Sequence, residues 1–197
     1  MTGREAEQTL SVIRTLMERS TTYTNLSGHA GIAAGLLALA GSALRAFYGT
    51  PFLPTWLGVL AAALAATFLF TARMARQNGE PLWTRQSRTV FLSLMPALAA
   101  TLVLTAVLTR IGQSALLPGV WMLMWGVGAL AMSFFTPRVI SMLGLTFMAV
   151  GVATFLIGPM PDALCMGLTF GVIHLGYGIA LTLAPQPGYA PGTGVEL

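Results

Sequence analysis

The chain has 197 residues, of which 55% are hydrophobic and 8% charged, with a mean hydropathy of +0.77. A soluble domain carries about 25% charged residues, so this composition excludes an ordinary soluble core and points to a lipid-embedded chain. All ten basic residues are arginine. The excess charge is scattered over loops, and this arrangement orients a membrane protein and predicts no nucleic-acid partner.

Residues 1–20 read as a cytoplasmic amphipathic helix. Thr2 and Glu5 have capping-box spacing, and Leu10, Ile13, Leu16 and Met17 recur on one face. Such a stripe lies along the membrane surface or folds onto the bundle's own loops, or it docks against a soluble cytoplasmic protein or a second protomer.

Residues 21–184 form a six-helix transmembrane domain. Six charge-free segments separate Arg19, Arg45, Arg73, then Arg88, Arg110, Arg138, Asp162 and Glu196. Each is long enough for the about 20 apolar residues that a span needs. The spans fall near Leu26–Leu44, Leu53–Thr71, Val90–Thr109, Leu116–Phe135, Val139–Ile157 and Ala163–Leu183. The fold class is therefore all-α, a polytopic membrane bundle. Arg73, Arg76, Arg85, Arg88 and Arg138 share a side with the N-terminal arginines, against Arg45 and Arg110 opposite. The positive-inside rule then places both termini in the cytoplasm. No cleavable signal peptide is expected, because the first apolar run is too long and starts too late.

The first span carries Ser27, Gly31 and Gly35 at four-residue spacing. Small residues let helix backbones approach in lipid, so this span should have neighbours on more than one side. Trp56 reads as an aromatic-belt residue of the second span. The following loop holds Asn78, Gly79 and Pro81, which are turn signals. Its flanking Arg73, Arg76, Arg85 and Arg88 suit anionic headgroups. Pro96 should kink the third span. Trp121 and Trp125 lie four apart on the fourth, as belt, packing or a pocket wall. Thr136, Pro137 and Arg138 leave a tight turn, so spans four and five should be neighbours. The sixth span sets Gly167, Gly171, His174 and Gly178 along one α-helical face, with Tyr177 adjacent. Residues 185–197 read as a flexible cytoplasmic tail.

Leu57-Gly58 with Ala66-Thr67-Phe68-Leu69 is echoed by Leu143-Gly144 with Ala153-Thr154-Phe155-Leu156. The echo is compatible with a 3+3 inverted repeat, although a chain this rich in Ala and Leu produces such echoes by chance.

The spans hold no Asp, Glu, Lys or Arg away from their ends, which argues against a carboxylate-driven pump or a voltage sensor. His29 and His174 remain, with Tyr177, as candidate ligand or cofactor residues. Each histidine can act as interhelical polar glue. Together they can form a pH-sensing pair or ligate haem. Two histidines do not make a structural metal site, which takes four ligands, so no metal or cofactor is predicted. Cys165 is the single cysteine, and no intramolecular disulfide can form. No catalytic residue is identified.

The segments Thr15–Gly28, Pro81–Arg85, Leu117–Trp121 and His174–Gly178 resemble an uncharacterised group of small bacterial inner-membrane proteins. That resemblance implies six helices and a bacterial inner-membrane location, and it implies no activity. The expected role is non-enzymatic: a sensor, regulator or assembly partner working through the N-terminal helix. The alternatives are a small-solute or ion transporter with a path near helices one, three and six, and a haem- or metal-binding membrane protein.

Overall fold

The computed structural model describes residue 10 and residues 27–183, apart from 78, 80 and 159. Six helices are long and apolar enough to cross a membrane: α1 (Gly28–Tyr48), α2 (Phe52–Gln77), α3 (Arg85–Arg110), α4 (Leu117–Ser133), α5 (Arg138–Ile157) and α6 (Asp162–Leu183). A short 3₁₀ turn, Ser114–Leu116, leads into α4. Among the described residues the spans are all helical and no strand occurs, because lipid offers no partner for an exposed backbone amide or carbonyl. The protein is a multi-pass helical membrane protein.

Helix ends are set by local chemistry. Gly49 adopts φ +62° and its N–H donates to the Arg45 carbonyl, closing α1, a left-handed cap that glycine makes without steric cost. At the start of α3 the Ser87 N–H donates to Thr84 Oγ1 at 3.1 Å, and the Thr84 N–H donates to Ser87 Oγ at 2.8 Å. This reciprocal cap satisfies two otherwise exposed donors. α3 runs on through Pro96 without interruption.

The helices divide into two packed triplets. α1 lies between α2 and α6, α4 lies between α3 and α5, and across the triplets α6 meets both α4 and α5, while Trp121 of α4 meets Phe52 of α2. Two seams are built from glycine. On α1, Gly28, Gly31 and Gly35 face Gly178, Leu175 and Gly171 of α6, and Gly167 of α6 faces Ser42. On α4, Gly119 and Gly126 face Thr154, Met148 and Gly144 of α5, and Gly151 faces Leu123. A β-carbon added at Gly35 would stand 2.7 Å from the Leu175 amide nitrogen, and one at Gly126 would stand 2.7 Å from the Gly144 carbonyl. Backbones this close hold helices together by dispersion, which is the force left once water is absent.

The predicted packing residues Gly31, Gly35, Gly167, Gly171 and Gly178 therefore meet at one interface, and Ser27 is the residue immediately before α1. Trp56 corrects an expectation. It is 2% exposed and packs with Ala38 and Met166, against Gly41 of α1. The missing side chain at Gly41 leaves room for the indole inside the bundle, so it is not a belt residue.

α6 is not a uniform α-helix. Gly167–Ile173 is π-helical, between α-helical segments Asp162–Met166 and His174–Leu183. The wider i→i+5 winding breaks the 3.6-residue register, and such stretches are frequent at functional sites.

Candidate functional site

The most distinctive cluster lies where α6 meets α4 and α5. His174 follows the π-helical stretch and is 8% exposed. Three aromatic rings surround its imidazole: Phe147 of α5 with centroids 5.1 Å apart, Trp125 of α4 at 5.5 Å, and Phe170 one turn back at 5.7 Å. Phe170 stacks almost parallel to the imidazole, at an interplanar angle of 13°. Met122, Leu143, Phe147 and Cys165 form the buried floor, with Trp125, Phe170, Ile173 and Tyr177 packed on it.

Three polar atoms in this apolar cluster have no hydrogen-bond partner within the protein: Trp125 Nε1, His174 Nδ1 and Tyr177 Oη. An unsatisfied buried donor or acceptor costs about 1–3 kcal/mol, so three at one junction form an unusual concentration. The indole can only donate, while the imidazole nitrogen and the phenol can each take either role. No charged side chain joins them among the described residues: Arg45 and Asp162 pair with each other at the other end of α6. Each of the three atoms keeps the capacity to hydrogen-bond a neutral polar group or water, and among the described residues no charged side chain stands beside them to neutralise an ion.

The sequence grouped His174 with the glycines of α6, and the structure separates them. Gly171 and Gly178 face α1, whereas the His174 ring faces α4 and α5. The π-helical winding accounts for the difference. His29 is exposed and stacks on Phe70 of α2, with centroids 6.2 Å apart. It lies one residue past Gly28, hence off the α1–α6 seam. The two histidines therefore face different helices, and a haem held between them has no footing. Tyr177 does join His174. α3 packs along α4, while α1 and α6 pack on each other.

At the opposite end of the bundle, Arg45 pairs with Asp162, donates to the Thr50 carbonyl and lies 5.8 Å from the Phe52 ring centroid. Ser42 Oγ donates to the Ala163 carbonyl at 2.5 Å beside it. Sequence reading missed this tie, although each partner stands alone between two apolar runs. Trp121 bridges three helices: its Nε1 donates to Thr105 Oγ1 of α3 at 2.9 Å, and its ring meets Phe52 of α2 edge-on at 5.6 Å.

The four arginines expected at headgroups, Arg73, Arg76, Arg85 and Arg88, are all exposed and gather at the end of the bundle where α1 begins. Beside them Phe68, Leu69, Phe70, Ala72, Arg73, Arg76 and Gln77 line a shallow groove of about 700 Å³ on α2. Of the amphipathic stripe, Leu10 is helical and 65% exposed. Ile13, Leu16 and Met17 lie outside the described residues, as does the tail 185–197.

These features define a six-span membrane protein with one aromatic, partly unsatisfied polar cluster at the junction of its triplets. No family model, curated protein or solved structure matches the chain.

Proposed function

We propose that the protein is a non-enzymatic sensor or regulator of a bacterial cytoplasmic membrane. In this reading the six-helix domain receives a small neutral polar ligand at Trp125, His174 and Tyr177, and residues 1–20 carry the response to a soluble cytoplasmic protein or a second protomer. The supporting observation is the trio of buried polar atoms without partners, set beside the π-helical stretch of the helix that joins the triplets. Occupancy there changes how α6 seats on α4 and α5. The orientation proposed is N-in and C-in, because Arg73, Arg76, Arg85, Arg88 and Arg138 share the end at which α1 begins, and arginine marks the cytoplasmic face.

The test is partner capture by the purified full-length protein. Deleting Met1–Arg19 should abolish it while the bundle stays folded, and Trp125→Phe, His174→Gln or Tyr177→Phe should change it. Capture that ignores both the deletion and the cluster variants would sink the reading. Accessibility of a cysteine placed at Gly79 from the cytoplasm, but not at Gly49, checks the orientation.

A second reading is a small-solute transporter, and the helix contacts favour it. α1 packs on α2 as α4 packs on α5, and α6 packs on α1 as α3 packs on α4. Shifting every helix by three maps these four contacts onto one another, as expected of 3+3 inverted-repeat folds that bind substrate between the repeats, while the contacts of α6 with α4 and α5 fall outside that pattern. Solute flux in reconstituted vesicles, lost in Tyr177→Phe, would select this reading over sensing.

A further inference from the structure

We infer that the junction between the triplets is a route for small neutral solutes that carry hydrogen-bond acceptors, entered at Arg45 and Trp56 and leading to the cluster of Trp125, His174 and Tyr177. The route rests on the transport reading, to which it adds a solute class and an entrance.

The buried polar atoms without a protein partner trace it. Among the described residues they are Arg45 Nε and Trp56 Nε1, together with Trp125 Nε1, His174 Nδ1 and Tyr177 Oη. Buried polar side-chain atoms are paired in the large majority of cases, and these five fall along one line, which α6 orders. Asp162 at the start of α6 holds Arg45. One turn on, Met166 packs with Trp56, which is 2% exposed. After a further turn, Phe170 packs both on the Trp56 cluster and on the cluster below it. His174 follows with Trp125, their centroids 5.5 Å apart, and then Tyr177. From Asp162 to Tyr177 the helix rises roughly 22 Å at 1.5 Å per residue, most of the about 30 Å of hydrocarbon in a bilayer. The Arg45 end also touches the second triplet, because Arg45 lies 5.8 Å from the Phe52 ring and Phe52 meets Trp121 edge-on.

Chemistry selects the solute. The guanidinium nitrogen and the two indoles can only donate, while the imidazole nitrogen and the phenol can take either role. A solute that passes all five must therefore accept, through a carbonyl or hydroxyl oxygen. The Arg45 charge is met by Asp162, so the line offers no net charge to replace the hydration that an ion would lose. Phe170 is the barrier between the two ends: it stacks on His174 at an interplanar angle of 13° and packs against both clusters, and passage requires its ring to swing aside. Trp121 stands beside Trp56 and supplies the contrast, since its Nε1 already donates to Thr105 Oγ1.

The test is solute entry into vesicles reconstituted with full-length protein, followed by stopped-flow light scattering with urea, glycerol and potassium chloride as probes. Urea and glycerol should enter at least several-fold faster than into lipid-only vesicles, and potassium chloride should not. Trp56→Phe and Tyr177→Phe should each slow entry at least several-fold. Trp121→Phe, which makes the same chemical change at an indole already bonded, should leave it unchanged, and Phe170→Ala should speed it. Helix content and melting in detergent confirm that each variant is folded. Entry lost in Tyr177→Phe but untouched in Trp56→Phe would overturn the route and leave the transport reading standing. Equal slowing by Trp121→Phe would also overturn it, since packing alone would then account for the effect, and passage of potassium chloride would overturn the solute class. Entry of neither urea nor glycerol above the lipid-only rate would sink the transport reading and the route with it.

Discussion

Replacing Gly178 by alanine tests whether the α1–α6 seam is held by backbone contact. The added methyl would stand 2.7 Å from the Gly28 carbonyl oxygen and 2.8 Å from the Gly31 carbonyl carbon, and closer still to the Ile32 amide. All three are backbone atoms, so no rotamer can relieve the clash. Restoring ordinary separations near 3.5 Å at the closest of these atoms requires α1 to retreat by about 1 Å, and a gap of that size forfeits about half of each contact's attraction along the seam. The expected cost is about 1–3 kcal/mol. Gly176→Ala is the matched control: it lies two residues away on the same helix and its methyl would meet nothing within 4 Å. Both variants gain the same helix propensity of up to about 1 kcal/mol, so their difference isolates the clash. Unfolding by SDS titration in mixed micelles, with helix content as the signal, measures that difference. Equal stability of the two variants would refute the backbone-contact account.

Four other outcomes follow from the contacts. Arg45→Ala and Asp162→Asn should each lower stability by about 1 kcal/mol, and combining them should cost little more than either alone, since they share one interaction. Trp121→Phe and Thr105→Val should each cost about 1 kcal/mol through the lost hydrogen bond, again without adding. Phe147→Ala removes a fully buried ring from beside Phe170 and His174; it should cost about 3–5 kcal/mol and shift the fluorescence of the chain by loosening Trp125. Cys165, buried at 5% exposure, should resist maleimide in the folded protein and label at the rate of unfolding, and rapid labelling of the native state would contradict its burial.

The number and order of the spans were legible because lipid tolerates only long uncharged helices, and ten arginines and Asp162 punctuate the chain accordingly. The α1–α6 contact was legible in outline, since Ser27, Gly31 and Gly35 recur every four residues and α6 carries a similar row. The α4–α5 contact was legible from the tight turn at Thr136, Pro137 and Arg138, but the glycines that build its seam were missed although they are the same device. Gly119, Gly126, Gly144 and Gly151 are spaced by seven within each helix, two turns apart, and do not stand out in a glycine-rich sequence. Trp56 misled because an indole near a helix end suits an interface, and the hole at Gly41 that receives it belongs to another helix. The fate of His174 was not legible at all. Its direction depends on a change of helical pitch, and no local residue preference announces that change. Arg45 and Asp162 lie 117 residues apart, and only the packing of α6 on α1 brings them together.

The widened winding at Gly167–Ile173 bears on how this chain can vary in length. In a regular α-helix an inserted or deleted residue turns everything beyond it by about 100°, which would swing His174, Tyr177 and Gly178 away from their neighbours. A π-helical turn holds surplus backbone, so a residue removed there lets the winding tighten while both flanks keep their facing. Residues 167–173 are thus a place in α6 where single-residue deletions should survive selection. Deletions in the uninterrupted stretches on either side should unseat the junction between the triplets.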